Sequence, residues 1–336
     1  MNEGFNPRAG SNVAVTRVSW PRDMRARRLG RRIALVLIEL LVVVTALSLV
    51  YNLTTRHRDV AAARLYPGPY VHVDGTTLAY RRFGHRGTPI VLLGGIIVPS
   101  WVWHRVGPLL GRRHRVFALD LPPFGYSQRR GPYTLSRWAE LVTAFDRKLG
   151  LHRPVLVGHS LGAAVVVTIA ADHPRDTSGV VLLDGDARPG GGGAGWLSNL
   201  LVPPWYTSVY RLVTGSDWLF RRGLSSAWGS NRPPFTGAFI EEWQRPFRVS
   251  GTAAAFRSLL SYGIQGVSAA TLQRVRVPRL VLWGAHDQVD SPSAGRATAA
   301  LLHAPFVAVA GAGHLSMLAA PAQVAHAIGR FASGRR

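Results

Sequence analysis

The chain has 336 residues, of which 40 are lysine or arginine and 17 are aspartate or glutamate, so its formal net charge is +23. It contains no cysteine, which excludes a disulfide framework and any metal site with thiolate ligands. Residues 61–336 alone carry 30 basic and 13 acidic side chains. Such a surface favours contact with anionic phospholipid headgroups. Nucleic-acid binding is not expected, because no recognition motif accompanies the charge.

The first element along the chain is an apolar stretch from Ile33 to Leu53, preceded by a basic segment, residues 1–32. As a helix it would span about 30 Å, which matches the hydrocarbon core of a bilayer. A signal peptide has a shorter apolar region, and a buried core helix would not follow an arginine cluster. We therefore predict a basic tail over residues 1–32 and a single transmembrane anchor over Ile33–Leu53. The arginines nearest its start are Arg25, Arg27, Arg28, Arg31 and Arg32.

The flanks of this stretch predict its orientation. Eight arginines precede Ile33, whereas Arg56, Arg58 and Arg64 follow it closely. The positive-inside rule then places the N-terminus in the cytoplasm and the rest of the chain outside. Glu39 lies within the stretch, where a charged carboxylate is unfavourable. We expect it to reach towards the arginine-rich end, and an intramembrane contact with a partner is the alternative.

After the anchor, residues 54–69 are predicted to form a short tether that ends at Pro67-Gly68-Pro69. Residues 70–186 then alternate between apolar runs typical of buried strands and helical segments. This pattern predicts the first half of an α/β domain. Residues 273–336 resume the same alternation and form its second half.

The most informative motif is Gly158-His159-Ser160-Leu161-Gly162. It follows the apolar run 154–157 and precedes the apolar helical segment 161–171, so Ser160 is predicted to lie in a strand–turn–helix elbow with an exposed hydroxyl. The glycines let the strand and helix pass closely. The helix N-terminus directs N–H groups and a positive dipole end at a developing oxyanion. His159 is expected to pack or hydrogen-bond rather than to react.

Residues 187–272 interrupt the alternation, and we predict that they form a helical lid. The segment holds 13 of the chain's 31 aromatic residues. Small helices need such side chains to pack on a core, and an apolar pocket over Ser160 is a compatible second explanation. The run Gly190 to Gly193 lacks the Lys-Ser/Thr of a phosphate loop, so we interpret it as a flexible hinge. The aromatic residues include Trp196, Trp205, Tyr206, Trp218, Phe220, Trp228, Phe235, Trp243 and Phe247.

Two polar residues follow the last two predicted strands. Asp287 comes shortly after strand 279–284, and His314 ends the glycine-rich loop after strand 306–309. Both lie beyond the C-terminal ends of strands, where open α/β sheets place their sites. A serine nucleophile needs an imidazole to take its proton, and the imidazole needs a carboxylate to orient it.

These partners complete a candidate catalytic triad of Ser160, His314 and Asp287. Asp290 and Asp184 are the alternative acids, because Asp184 also ends a predicted strand. No cluster of His, Asp or Glu has metal-ligand spacing, so neither a metal nor another cofactor is expected.

The chain order Ser160, Asp287, His314 is that of α/β-hydrolases, and residues 70–332 resemble this fold family in its branch with an inserted lid. Val91-Leu92-Leu93-Gly94-Gly95 resembles the third strand and oxyanion loop, and residues 120–127 resemble the loop after the fourth strand. The resemblance implies a mostly parallel eight-stranded sheet. It also implies an oxyanion hole made by the backbone N–H groups of Ile96 and Leu161.

Two positions depart from the family pattern. The oxyanion loop usually reads His-Gly, whereas here it reads Gly94-Gly95, and the usual histidine buttresses the loop rather than reacting. Pro123 replaces a common glycine in the loop after the fourth strand, which implies a local change of backbone.

The expected function is that of a membrane-anchored serine hydrolase acting on carboxylic esters with an apolar acyl chain or on lipid-like esters. Thioester, amide and carbon–carbon bond hydrolysis share the same machinery and stay open. Epoxide hydrolases and haloalkane dehalogenases carry an aspartate where Ser160 stands. The alternative from another class is a non-catalytic, membrane-tethered binding module.

Overall fold

A computed structural model describes residues 22–189, 202–230, 232–263 and 265–334, and its central feature is an eight-stranded sheet. The strands are β1 (Tyr70–Val73), β2 (Thr76–Phe83), β3 (Pro89–Leu93), β4 (Arg115–Leu119), β5 (Val155–His159), β6 (Gly179–Leu183), β7 (Arg279–Gly284) and β8 (Phe306–Val309). Their order is β1-β2-β4-β3-β5-β6-β7-β8. β2 pairs antiparallel with β1 and β4, and all other neighbours are parallel. This confirms the predicted mostly parallel α/β-hydrolase sheet.

Helices cover both faces of this sheet. Every residue of β3, β5 and β6 is buried, as expected of parallel strands enclosed by helices. Alternate residues of β5 enter two apolar clusters, with Leu156 on one face and Val155 and Val157 on the other. The helices are α1 (Arg22–Thr54), α2 (Ala62–Leu65), α3 (Val106–Gly111), α4 (Leu135–Lys148), α5 (Leu161–Asp172), α6 (Trp205–Thr214), α7 (Asp217–Trp228), α8 (Gly237–Gln244), α9 (Thr252–Tyr262), α10 (Ala269–Arg274), α11 (Pro292–Leu302), α12 (Ser316–Ala319) and α13 (Pro321–Ser333).

The N-terminal helix α1 is longer than the sequence predicts. A tail is expected up to residue 32, but the helix already begins at Arg22. Arginine, alanine and leucine are good helix formers, so the helix extends in the N-terminal direction from the apolar stretch. Residues 26–54 are long and apolar enough to cross a membrane, with a mean hydropathy of 2.9 over an 18-residue window. A signal sequence near the N-terminus has similar apolar character. Residues 1–21 lie outside the described part of the chain.

Up to Val50, α1 belongs to a compact unit of its own, and residues 51–336 form a second unit. Within the second unit, the segment predicted as a tether is packed against the insertion. Val60 donates its N–H to the carbonyl of Arg248 at 2.7 Å, and its own carbonyl accepts the N–H of Ser250 at 2.9 Å. Further along, Tyr66 is buried and stacks on Tyr126 with 5.0 Å between ring centroids. The segment predicted as a tether thus makes strand-like pairing and aromatic contacts with the rest of the unit.

Between β6 and β7, the chain forms the helices α6 to α10. Hydroxyl side chains begin three of them, because Ser216, Thr236 and Ser268 accept hydrogen bonds from N–H groups in the first turns of α7, α8 and α10. We call α6 to α9 the lid helices. The glycine run 190–193 and Trp196, which the sequence analysis assigned to a hinge and to the lid, lie outside the described residues.

Candidate active site

Ser160 lies in the sharp turn between β5 and α5. Its backbone has φ 52° and ψ −123°, a conformation that is strained for a residue with a side chain. Its N–H donates to the carbonyl of Leu183 at 3.0 Å, which fixes the turn to the end of β6. A Cβ at position 158 would lie 2.1 Å from the carbonyl oxygen of Gly162, and one at position 185 would lie 2.4 Å from that of Ser160. Only glycine fits at both positions.

Gly185 was not singled out by the sequence analysis. Its position shortly after a buried strand could have indicated it, because the loop that follows this strand passes close to the elbow. Because the Ser160 backbone fills the space beside it, a side chain there would displace the turn.

His314 lies in the loop after β8, and its partner is Asp287. The imidazole Nδ1 is 2.9 Å from Asp287 Oδ2, and both side chains are buried. The other carboxylate oxygen, Oδ1, accepts the N–H groups of Val289 and Asp290 at 2.9 and 3.0 Å. The loop after β7 therefore holds the carboxylate so that one oxygen faces the imidazole.

Burial alone lowers the pKa of His314, but the hydrogen bond to Asp287 and the charges of Asp287, Asp184 and Asp290 raise it by more. Its pKa is accordingly above the ordinary value. An imidazole whose cation is stabilised in this way is a good proton acceptor.

The two alternative acids have other roles in the fold. Asp184 is fully buried, and its Oδ1 accepts the N–H of Gly284 at 2.7 Å. Its Oδ2 accepts both the N–H and the hydroxyl of Ser316. Burial raises the pKa of Asp184 to about 7. Asp290 lines the cavity described below, and burial raises the pKa of its carboxyl as well. Of the three carboxylates, Asp287 is the one hydrogen-bonded to His314.

His159 supports the backbone of the loop that carries His314. Its Nε2 donates to the carbonyl oxygen of His314 at 2.8 Å, and the two rings are 5.0 Å apart. Burial, and then the proximity of His314, lower the pKa of His159 to about 3. The side chain is therefore a neutral hydrogen-bond donor, in agreement with its expected packing role.

The loop after β3 is closed by a tight turn. Val98 donates its N–H to the carbonyl of Gly95 at 3.2 Å, and Ile97 within the turn has φ 57°. A Cβ at position 94 would lie 2.3 Å from the carbonyl oxygen of Val98, and one at position 95 would lie 2.6 Å from Ser160 Cβ. Neither position has room for a side chain. The loop of this chain therefore requires glycine at position 94, where the family pattern has histidine, as well as at position 95.

A cavity of about 550 Å³ lies over Ser160. Ser160, His314, Ile96 and Leu161 all line it, so the predicted nucleophile, base and oxyanion residues meet there, with Asp287 behind His314. Apolar side chains of the lid helices line it too: Val213, Leu219, Phe220, Leu224, Ala227 and Trp243.

One part of the cavity lining is polar, and of its residues only Asp290 was a candidate from the sequence. Asp186 and Arg188 form an ion pair at 3.1 Å after β6, and Gln265 and Asp290 line the same cavity. Asp186 and Arg188 come just after the C-terminal end of β6. That position in the sequence could have indicated that they lie at the site. Within the described part of the chain, no group of three His, Asp or Glu side chains could hold a metal ion.

The chain belongs to the alpha/beta hydrolase fold family, whose model matches residues 88–321. One relative is the uncharacterized hydrolase YugF of Bacillus subtilis (strain 168). Its sequence is 25% identical to this chain over 230 residues, and the match covers 67% of this chain and 82% of YugF.

Two solved structures have similar folds. The first is a membrane phospholipase A, described as a bacterial virulence factor. It is 25% identical to this chain, with a TM-score of 0.65, and the match covers 92% of this chain and 99% of the phospholipase chain. A thermophilic esterase from Thermogutta terrifontis is 23% identical with a TM-score of 0.65, covering 80% of this chain and 99% of its own. The second likeness concerns the fold alone.

Proposed function

We propose that the protein is a membrane-anchored serine hydrolase that cleaves carboxylic esters with an apolar acyl chain. One observation carries the proposal: Ser160 and His314 line the same cavity, and His314 is hydrogen-bonded at 2.9 Å to the buried Asp287. A serine hydroxyl, an imidazole and a carboxylate in this arrangement form the apparatus of acyl transfer.

The reaction has two halves. In the first, Ser160 Oγ attacks the acyl carbon while His314 Nε2 takes the hydroxyl proton, and Asp287 stabilises the imidazolium. The tetrahedral intermediate collapses, and His314 returns the proton to the departing alcohol. In the second half, water attacks the acyl-serine with His314 again as base, which releases the acid and restores Ser160.

Two backbone N–H groups are proposed to bind the oxyanion of each intermediate. Leu161 is the first residue of α5, and N–H groups at a helix start have no intrahelical acceptor. Ile96 belongs to the turn after β3, which packs directly against Ser160. Each donor of this kind typically lowers the barrier by about 3 kcal/mol.

An acyl substrate with an apolar chain fits the walls of the cavity, because the lid helices contribute aliphatic and aromatic side chains to it. The likeness to a membrane phospholipase A, at 25% identity over nearly the whole chain, supports a lipid ester as the substrate. The basic surface supports contact with anionic headgroups.

The apolar part of α1 is proposed to span the membrane once, over Ile33–Leu53. The arginine excess before Ile33 favours a cytoplasmic N-terminus and an extracytoplasmic catalytic domain. Reporter fusions at the two ends test this topology. A cytoplasmic reporter signal from the C-terminus would contradict it.

The activity is tested with p-nitrophenyl esters from acetate to palmitate, using the detergent-solubilised chain and its Ser160→Ala variant. Turnover that peaks at a medium or long chain and disappears in Ser160→Ala is expected. Ser226→Ala is the matched control, because this exposed lid serine is outside the cavity lining. Fluorophosphonate labelling separates the alternatives when no ester is cleaved: labelling of Ser160 would indicate an amide, thioester or carbon–carbon substrate, and no labelling a binding module.

A further inference from the structure

The lid helices expose an apolar surface, which we call the lid face and define as Val209, Leu212, Val213, Trp218 and Leu219. Leu212 is 58% exposed and Trp218 is 65% exposed. Positions 209, 212 and 213 lie on one side of α6 by their spacing. Val213 and Leu219 meet at the cavity that both line, so the two helices share the surface. A contiguous apolar patch of this kind indicates an interaction site.

The lid face lies beside the point where the chain leaves its apolar stretch. Arg211, on the same helix as Leu212, donates to the carbonyl of Asn52 at 2.6 Å and to the hydroxyl of Thr55 at 2.8 Å. It also forms an ion pair with Asp59. In return, Asn52 Nδ2 donates to the carbonyl of Pro204 at 2.9 Å, directly before α6.

These contacts tie α6 to the end of the apolar stretch. The apolar stretch ends at Leu53, one residue after Asn52. If that stretch spans the bilayer, its last turn lies at the membrane surface, and α6 is hydrogen-bonded to that turn. Those hydrogen bonds would therefore bring the lid face to the level of the headgroups.

The chemistry around the lid face matches a bilayer surface. The Arg222 guanidinium lies 5.8 Å from the centre of the Trp218 ring, and Arg221 and Arg232 line a shallow groove together with Trp218. Asp217 is nearby, where it accepts a hydrogen bond from Gln244. Tryptophan and leucine beside several arginines is the composition of helices that lie in the lipid interface.

The same surface continues to the candidate active site. Val213 and Leu219 belong both to the lid face and to the cavity lining, which they share with Phe220, Gly223 and Ser160. An acyl chain that passes from the bilayer to Ser160 by this route stays in contact with apolar side chains.

We propose that the lid face docks on the bilayer beside the end of α1 and that the acyl substrate enters the cavity directly from the bilayer, between α6 and α7. This inference rests on the proposed function and names the source of its substrate as a lipid resident in the same membrane. Arg211 is the positioning residue that holds the lid face at the membrane surface.

Site-directed fluorescence tests the docking without requiring hydrolysis. Because the chain has no cysteine, Leu212→Cys can be labelled singly with an environment-sensitive fluorophore in the full chain. The labelled protein is reconstituted into phosphatidylcholine–phosphatidylglycerol vesicles. The matched control is His152→Cys, an exposed position before the N-terminal end of β5, whereas Ser160 follows the C-terminal end of that strand.

The label at position 212 is expected to lose most of its fluorescence to acyl-brominated lipids and little to aqueous iodide, with the reverse at position 152. Equal quenching by brominated lipid at both positions overturns the proposal. Protection of position 212 from both quenchers also overturns it, because a second copy of the chain would then cover the lid face. Neither outcome depends on whether Ser160 is reactive.

A second measurement separates docking from a general defect of the lid. The Leu212→Asp variant is expected to lower hydrolysis of vesicle lipid about tenfold relative to hydrolysis of a soluble short-chain ester. Arg211→Gln is expected to lower the same ratio, since it releases the lid face from the end of α1. An equal loss on both substrates would show a disrupted lid and would contradict docking.

Discussion

The central strands and the lid helices meet at one cavity, yet they are stabilised in different ways. Every side chain of β3, β5 and β6 is buried between layers of helices. Within the described residues, α6 buries Tyr206 and Ser208, and α7 buries Leu224 and Trp228, although both helices are longer than any of these strands. The strands are enclosed by this chain itself, whereas a large part of the lid surface is apolar and uncovered.

This difference indicates separate tasks for the two regions. Ser160 and Asp287 follow the buried strands β5 and β7. His314 follows the partly exposed edge strand β8, and its hydrogen bond to Asp287 fixes its position. Buried lid side chains such as Leu224, Trp228 and Trp243 pack into the same apolar cluster as strand residues, and polar contacts between distant parts of the chain add to this packing. One such contact is made by Arg129, whose part-buried guanidinium donates to carbonyls of the core loop and to Pro246 and Thr252 of the insertion. Changes in the strand-end loops should therefore alter the chemistry, and changes in the lid should alter access or stability.

The largest expected effect comes from the carboxylate behind His314. Asp287→Asn should lower kcat by about 10⁴-fold, because the imidazole loses the group that fixes its tautomer and stabilises its cation. Asp290→Asn is the control, since Asp290 lines the same cavity but contributes only its backbone N–H to Asp287. Steady-state kinetics on the best p-nitrophenyl ester measure both variants. Comparable losses in the two would contradict the assignment of Asp287.

Adding a single methyl group should reduce activity at a core position but not at a lid position. Gly95→Ala places a Cβ 2.6 Å from Ser160 Cβ and 3.1 Å from its Oγ, so either the serine or the oxyanion loop must move. We expect kcat to fall by about 10²-fold or more, the typical cost of losing an oxyanion donor. Gly237→Ala in α8 has no atom within 4 Å of the new Cβ and should keep full activity. Retained activity in Gly95→Ala would show that the loop does not serve the reaction.

Features that depend on the local sequence pattern could be predicted, whereas features that depend on tertiary contacts could not. The runs at 279–284 and 306–309 are continuous and apolar, so the strands β7 and β8 were predictable residue by residue. The elbow at Ser160 was predictable because its geometry requires glycine on both sides, so the Gly-x-Ser-x-Gly pattern is visible in the sequence. The choice among Asp184, Asp287 and Asp290 was less certain from sequence, since all three follow strands, and hydrogen bonds formed only in the fold distinguish them.

Contacts between distant residues were not predictable. Arg211 and Asp59 are 152 positions apart, and no periodicity in the sequence relates them. The packing of residues 54–69 against the insertion is of the same kind, because its pairing partner Val249 is almost 200 positions further along. The local sequence of a polar, proline-containing segment predicts a tether, but it does not indicate which distant residues the segment pairs with.

Stability should depend on the contact between lid and core through Arg129. Arg129→Met leaves the carbonyls of Gly125, Ser127 and Pro246 without a buried donor, and we expect a loss of about 3 kcal/mol in the free energy of unfolding. Arg130→Met is the matched control, because Arg130 is the next residue and donates to one exposed carbonyl, that of Gly75. Guanidinium unfolding followed by tryptophan fluorescence measures the difference. Equal midpoints for the two variants would exclude Arg129 as a structural link.

The smallest expected effect is on the pH profile, and its sign follows from the charges around His314. The imidazole must be neutral to take the Ser160 proton, so kcat/KM rises with pH through its pKa. Because Asp287, Asp184 and Asp290 raise this pKa above its ordinary value, the acid limb should lie above pH 6.5, the ordinary value of histidine.

Asp290→Asn removes one of the charges that stabilise the imidazolium, so the pKa of His314 should fall and activity should persist to lower pH. Asp217→Asn removes an equal charge from the start of a lid helix, and it should leave the acid limb unchanged. Profiles of kcat/KM against pH for the two variants and the parent protein measure both shifts. An equal downward shift in both variants would mean that bulk charge rather than the strand-end carboxylates sets the basicity of His314. A limb that stays in place or moves upward in Asp290→Asn would contradict a role for the Asp290 charge.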